Sequence, residues 1–280
     1  MSGAGLELRE VRGPSALGGG WRRSLELLYL IATTEFRRSY LGTALGYLWS
    51  IARPLALFAV LLTVFTQAFD LGDRVVNYPM LLLFNIVLFG FFQEATTQAV
   101  SSIVSQESVV RKTQFPRLVI PLAVVLTSAF NLAVNLVVVL VFLLVAGISP
   151  TWTWLLFPLL LALLFVFTTA VAMILSALFP RFRDTAIIWS VAATALFYAT
   201  PVLYPLELVS GRLQDVLALN PLTPLFELAR KWVIDPDAPG PVAAAGGSAA
   251  LLVPAAIFAL VCVLAVWIFN REAPRIAEQL

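Results

Sequence analysis

Long apolar runs separated by short polar punctuation dominate the chain, at about 45–69, 79–101, 118–146, 154–179, 186–203 and 249–269. Most reach the roughly 20 residues with which an α-helix crosses a hydrocarbon core of about 30 Å. Only helices and closed barrels satisfy their backbone groups there. The pattern therefore predicts an all-α integral membrane fold of six transmembrane helices, one domain spanning 21–280. Ahead of the first run, Trp21, Leu25, Leu28, Ala32 and Phe36 recur at three- and four-residue steps, with Arg22, Arg23, Glu26, Thr33 and Arg37 elsewhere on the helix. This stretch, about 21–38, is too short and too charged to span. It predicts an amphipathic interface helix on the cytoplasmic membrane surface, either a plain anchor or a surface gripped by a cytoplasmic partner.

Between the fifth and sixth runs, residues 204–231 are too apolar for a free loop, yet Asn220-Pro221 and Pro224 interrupt them. Two short helices that dip into the outer leaflet and return fit this pattern. Such a re-entrant pair persists only where it packs on protein or lines a cavity. Residues 1–20 carry Gly, Ser and mixed charge, and read as a loosely ordered extension. They hold no apolar stretch before a cleavage site, so they do not resemble a secretory signal.

Polar residues inside the runs are patterned. In the second, Gln93, Thr97, Ser101 and Ser105 repeat every four residues, as do Glu94, Gln98 and Ser102, and adjacent rows merge into one stripe. A carboxylate and amides at membrane depth are costly against lipid, so the stripe faces protein or water. Helix–helix hydrogen bonding and the wall of a hydrated path both satisfy that requirement; the amides and the carboxylate favour the path. The third run repeats the theme with Thr127 or Ser128, Asn131 and Asn135, the fifth with Ser190, Thr194 and Tyr198. Arg53-Pro54 lies about two turns into the first run, where the arginine can snorkel back to headgroups and the proline removes a backbone donor.

Charge orients the helices. The chain is 60% hydrophobic and only 12% charged, with net charge +2; a soluble domain carries about twice that charge. The alternating loops place Arg37, Arg38, Arg53, Arg111, Lys112, Arg117, Arg181, Arg183 and both terminal segments on one side. Only Arg74, Arg212, Arg230 and Lys231 fall on the other. Short basic loops stay cytoplasmic, so both termini are expected inside. Basic residues scattered over several loops make no nucleic-acid face.

Candidate chemistry is sparse. There is no His, the one Cys (Cys262) lies inside the last run, and no GxxxxGK[ST] loop occurs. No acid–base or nucleophile–base pair sits at workable spacing. The chain reads as neither an enzyme nor a metal protein, and the outer acids Glu207, Asp215, Asp235 and Asp237 read as a solvated face.

Four stretches carry a family resemblance. They are Arg37-Arg38-Ser39-Tyr40-Leu41-Gly42 with Leu45-Gly46-Tyr47-Leu48-Trp49-Ser50 and Arg53-Pro54; Glu107 through Arg111-Lys112-Thr113-Gln114-Phe115-Pro116-Arg117; Arg181-Phe182-Arg183-Asp184; and Thr200-Pro201-Val202-Leu203-Tyr204-Pro205 followed by Leu219-Asn220-Pro221-Leu222-Thr223-Pro224. In order and on consistent membrane sides, these resemble the membrane subunits of ABC exporters for lipid-linked polysaccharides, the O-antigen, capsule and teichoic-acid permease family. The likeness runs from about residue 21 to the C-terminus. Ala273 interrupts its Glu-Pro-Arg ending, and residues 1–20 match nothing in it.

The resemblance implies a homodimer in the bacterial cytoplasmic membrane, with a pathway at its two-fold axis. Each subunit would be docked on a separate nucleotide-binding ATPase that carries the ATP and Mg; this chain would bind no cofactor. Docking candidates are Arg37, Arg38, Glu107, Arg111, Lys112, Phe115 and Arg117. The outer re-entrant pair would form the exit gate. A lipid-linked glycan needs hydrogen-bonding walls and aromatic faces. Path candidates are accordingly Gln93, Glu94, Thr97, Gln98, Ser101, Asn131, Asn135, Thr194, Phe197, Tyr198 and Tyr204. The rival readings are an ABC exporter of a drug or small lipid, a secondary transporter, and an integral enzyme of envelope glycan synthesis.

Overall fold

The computed structural model describes residues 21–40, 46, 48–106, 117–244 and 246–279. Among them the structure is helical throughout, with no strand. The helices are α1 (Trp21–Tyr40), α2 (Leu48–Gln67), α3 (Leu71–Arg74), α4 (Tyr78–Ser105), α5 (Val119–Val145), α6 (Phe157–Leu178), α7 (Thr185–Ala199), α8 (Arg212–Ala218), α9 (Thr223–Ala229), α10 (Pro241–Ala244) and α11 (Leu252–Gln279). A 3-10 turn, Trp152–Leu156, leads directly into α6. Tight turns also precede α8 and α11, and a wide π-type turn, Arg230–Ile234, follows α9.

Five helical segments are long and apolar enough to cross a membrane: Leu48–Gln67, Tyr78–Ser105, Val119–Val145, Trp152–Leu178 and Ser248–Glu272. Each coincides with an expected run to within a few residues. The fifth expected run differs. It forms α7, of 15 residues, about 22 Å at 1.5 Å per residue and short of a bilayer core. The cause is local: Pro201 biases Thr200 toward extended backbone, and Thr200 sits at φ −102°, ψ 144° and ends the helix.

α4 is the hub. It packs against α5 and α6 along its length and against α2 and α7 more locally. Its N-terminal half is sealed by Leu81, Leu82, Leu83, Phe84, Leu88, Phe89 and Phe92, all almost fully buried. Aromatic contacts knit the bundle here. Phe92 stacks on Phe167 of α6 at 5.9 Å and meets Trp189 of α7 edge-on at 6.0 Å. Burying such rings contributes ~0.5–1.5 kcal/mol per pair beyond their area. α11 packs on α6. α2, by contrast, has no buried residue at all.

α1 packs against α5. Of its expected apolar stripe, Ala32 is fully buried and Phe36 meets Phe130 edge-on at 5.7 Å. Leu25 stays exposed, as do Tyr29 and Leu30 beside it. One part of the stripe therefore serves a protein contact, and an adjacent apolar edge remains open.

The two short helices expected within 204–231 are present as α8 and α9, joined across Asn220-Pro221. α9 belongs to the buried core, with Leu222, Leu225, Phe226 and Ala229 nearly inaccessible, whereas α8 buries only Leu217 and Ala218 and leaves Leu213 and Val216 exposed.

Candidate functional site

The four side chains of α4 that are exposed are Thr97, Gln98, Ser101 and Ser105, every one polar. Gln93 and Glu94 beside them are half-buried. A helix otherwise packed against four neighbours thus turns one purely polar strip outward; Ser102 of the expected stripe departs from it, buried and donating to the Ala99 carbonyl at 2.8 Å. Thr96, on another side of the helix, is buried. Its hydroxyl donates to the Phe92 carbonyl (2.7 Å) and accepts from Nε1 of Trp189 (3.2 Å).

One edge of the strip is bonded to α5. Glu94 Oε1 accepts from Asn131 Nδ2 at 2.6 Å and from Gln98 Nε2 at 3.2 Å. Asn135 donates to the Asn131 carbonyl one turn away at 2.9 Å. Glu94 and Asn131 therefore make a helix–helix contact of the packing kind, while Thr97 and Ser101 remain on the open face.

Toward the C-terminal end of α4 the strip borders a cleft of about 380 Å³ between α1, α4 and α5, whose lining includes Glu35, Arg38, Gln98, Ser105, Gln106 and Thr127. α1 is held at its rim by the Phe36–Phe130 contact and by the Thr127 hydroxyl, 3.2 Å from the Ala32 carbonyl.

The polar row of α7 behaves differently. Ser190 and Thr194 are exposed, and their hydroxyls donate to carbonyls of their own helix, Ile187 (2.8 Å) and Ser190 (2.9 Å). Among the described residues no hydrogen bond links them to the α4 strip. The three polar rows do not close around one route within a single subunit. Tyr198 is exposed beside half-buried Phe197, their rings edge-on at 5.3 Å. Tyr204 donates to the Tyr198 carbonyl at 2.7 Å, so its hydroxyl is engaged in holding the chain after α7.

That stretch is held by side chains throughout. Tyr78 donates to the Leu203 carbonyl (2.9 Å) and Asn85 to that of Pro201 (3.0 Å). Asn220 donates to the Ala199 carbonyl (3.1 Å) and the Thr200 hydroxyl (2.8 Å) while accepting from the Leu222 N–H. A broken helix end loses its intrahelical partners, and buried carbonyls demand others. The Thr-Pro-Val-Leu-Tyr-Pro and Leu-Asn-Pro motifs are thus two halves of one junction.

Charge position alone leaves Arg212, Arg230 and Lys231 as ordinary loop cations on the less basic side, and the structure separates the three. Arg230 is only 4% exposed. It meets Glu207 at 2.9 Å, Asp235 at 3.6 Å and Glu227 at 4.0 Å, so it cannot contact headgroups or cargo. Asp235 is accordingly a partner in an ion cluster and not part of a solvated face, while Glu207 joins the cluster and stays exposed. Lys231 donates to the Ala238 carbonyl at 3.0 Å. Arg212 alone of the three is exposed. This cluster was missed because its members are spread over 29 positions of sequence, with no motif spacing.

Of the docking candidates, Arg37 and Arg38 are exposed at the end of α1, and Arg117 is half-exposed just before α5. Glu107, Arg111, Lys112 and Phe115 lie outside the described residues, as do residues 1–20.

The ABC-2 type transporter family model matches residues 26–233. The chain belongs to the ABC-2 type transporter family. Relatives agree: it is 32% identical over 204 residues to an O-antigen export system permease protein RfbA of Klebsiella pneumoniae, covering 72% of this chain and 77% of that one. The RfbA of Myxococcus xanthus is also 32% identical, over 202 residues, 71% and 77% of the two chains. The polysialic acid transport protein KpsM of Escherichia coli is 22% identical over 212 residues, 75% and 81% of the two chains. These are transport proteins by name. The ABC-2 match begins within α1 and ends in the turn after α9, so the polar strip, the α7 junction and Arg230 with Glu207 and Glu227 lie inside it, and Asp235 lies just beyond. α11 lies beyond it. With five candidate spans, this ABC-2 member is a multi-pass membrane protein.

Proposed function

We propose that this chain is the transmembrane subunit of an ATP-driven exporter that moves a lipid-linked polysaccharide across the bacterial cytoplasmic membrane. The observation that carries the reading is the all-polar exposed face of α4. A hydroxyl- and amide-lined wall at membrane depth suits a neutral, hydroxyl-rich polymer and wastes solvation against lipid. The named cargoes of the relatives support the same class.

In this reading two copies face each other across the pathway, and a separate ATPase subunit beneath each supplies the energy. α1 and the basic segment before α5 receive the ATPase, with α1 lying along the cytoplasmic surface through its open Leu25, Tyr29 and Leu30 edge. α7 together with residues 200–203 makes a sixth crossing, and both termini stay inside. α8 and α9 dip into the outer leaflet and gate the exit. Closure of the ATPases tilts the helices as rigid bodies.

Depleting the protein and analysing lipid-linked glycans tests the proposal. Accumulation of one undecorated polymer on the cytoplasmic side is expected. Depletion without such accumulation rejects the assignment and favours export of a small lipid or drug.

A further inference from the structure

We propose that the cleft between α1, α4 and α5 is a sugar-binding subsite inside each subunit, receiving a unit of the glycan at the cytoplasmic end of the polar strip. The inference rests on the polysaccharide reading above and adds to it a place outside the space between the two copies. The cleft's volume, about 380 Å³, falls in the ~300–1,000 Å³ range of small-ligand sites. Its wall chemistry selects the class of ligand. Glu35 accepts, Arg38 donates, Gln98 and Gln106 each offer both functions, and Ser105 and Thr127, whose hydroxyls donate to the Ser102 and Ala123 carbonyls, offer acceptors. Glu35 and Arg38 are the charged residues of the described lining, opposite in sign and 3.9 Å apart, so that lining carries no net charge. A lipid chain would leave these polar groups unsolvated. A sugar, whose every hydroxyl both donates and accepts, matches the set.

Position supports the same conclusion. Ser105 and Gln106 end α4 immediately before the basic segment 107–117, which the charge distribution puts in the cytoplasm. At its other end the cleft reaches Gln98, whose amide donates to Glu94 at 3.2 Å, and Glu94 is bonded to Asn131 at 2.6 Å. A continuous polar track therefore leads from the cleft into the membrane. α1 forms one wall and rests on α5 through Phe36–Phe130 at 5.7 Å, so an ATPase that moves α1 would open or close the subsite.

The test uses the full-length permease with its ATPase subunit in lipid nanodiscs, in a Cys262→Ala background. Ser105→Cys is labelled with a charged maleimide, with and without the oligosaccharide released from the polymer that accumulates on depletion. Labelling is expected to slow several-fold with the oligosaccharide, while Val76→Cys in the outer loop labels at an unchanged rate. In cells, Ser105→Trp fills the cleft and should lower export at least about tenfold, the scale at which pocket shape discriminates ligands. Unslowed labelling at position 105, or normal export by Ser105→Trp, overturns the subsite while leaving the exporter assignment standing. Where Ser105→Trp is not recovered from membranes, the labelling result alone decides. Failure of the parent reading has its own signature, the absence of any accumulated polymer on depletion, and removes the subsite with it.

Discussion

The Asn131 amide donates to the Glu94 carboxylate over 2.6 Å, which ties the one carboxylate of α4 to α5 within the bilayer span. The bond is part of the packing, yet it sits at the edge of an open polar face. Removing either partner therefore has two separable consequences, one for assembly and one for transport.

Glu94→Ala is expected to reduce export while leaving the subunit assembled, because interhelical hydrogen bonds in membranes average only ~0.6 kcal/mol, with a maximum near 1.7. Asn131→Leu should act in the same direction with a smaller transport defect, since Gln98 still donates to Glu94. Export and membrane-extracted protein are to be measured together. An assembled Glu94→Ala subunit with unimpaired export would refute the path role of the strip.

Arg230→Leu should be among the most damaging substitutions outside the spans. It leaves Glu207, Glu227 and Asp235 facing one another without the cation, and breaking a buried ion pair costs ~3–5 kcal/mol. Loss of folded protein and of thermal stability in detergent is the expected readout. Arg212→Leu, on an exposed residue, is the control and should leave the melting temperature unchanged.

Burial pushes the Glu227 carboxyl above its ordinary value of 4.5; the Leu206 N–H and Arg230 draw it back in part, and the Glu207 charge adds to the rise. The folded chain thus holds this proton where the unfolded chain has released it. The stability this group contributes is complete below the ordinary carboxylate range and is lost as pH rises through the raised folded value. Glu227→Gln keeps an acceptor for Leu206 and fixes the neutral form. It should flatten the fall in melting temperature above the ordinary carboxylate range. An unchanged slope would show that Glu227 does not set it.

Tyr78→Phe deletes the donor to the Leu203 carbonyl, leaving a buried acceptor without its partner at a cost of ~1–3 kcal/mol. Asn220→Ala removes donors to Ala199 and Thr200 and the acceptor for Leu222, so it should cost more. Hydrogen exchange of the amides at 199–206 should rise in both variants. Protection equal to wild type would mean that the junction is held by packing alone.

Ala32→Leu probes the seat of α1. Ala32 is fully buried, and overpacking costs ~1–3 kcal/mol. We expect α1 to lift from α5 and ATP hydrolysis by the complex to uncouple from export. Unaltered coupling would separate α1 from energy transmission.

Hydrophobic length is a local property, and it was legible for five of the six expected runs; the run at 186–203 forms only the 15-residue α7. The five long helices follow from uninterrupted apolar runs, because a backbone in hydrocarbon has no partner but itself. The i, i+4 rows of α4 were legible for the same reason, as periodicity alone places Gln93, Thr97 and Ser101 on one face. The family motifs before and after α7 could be read as words, but not as a joint: that Asn220 and Tyr78 satisfy the carbonyls of residues 199–203 depends on contacts across 20 to 125 positions.

Local pattern thus determined the long helices and their polar faces. Tertiary structure alone decided which face meets which neighbour. It set α1 against α5, drew Arg230 from the surface into a cage of three acids, and divided the α4 strip between a bond to Asn131, a cleft and an open wall. The physical reason is that burial and hydrogen bonding are satisfied between elements, and the partner that satisfies them is chosen by packing in space.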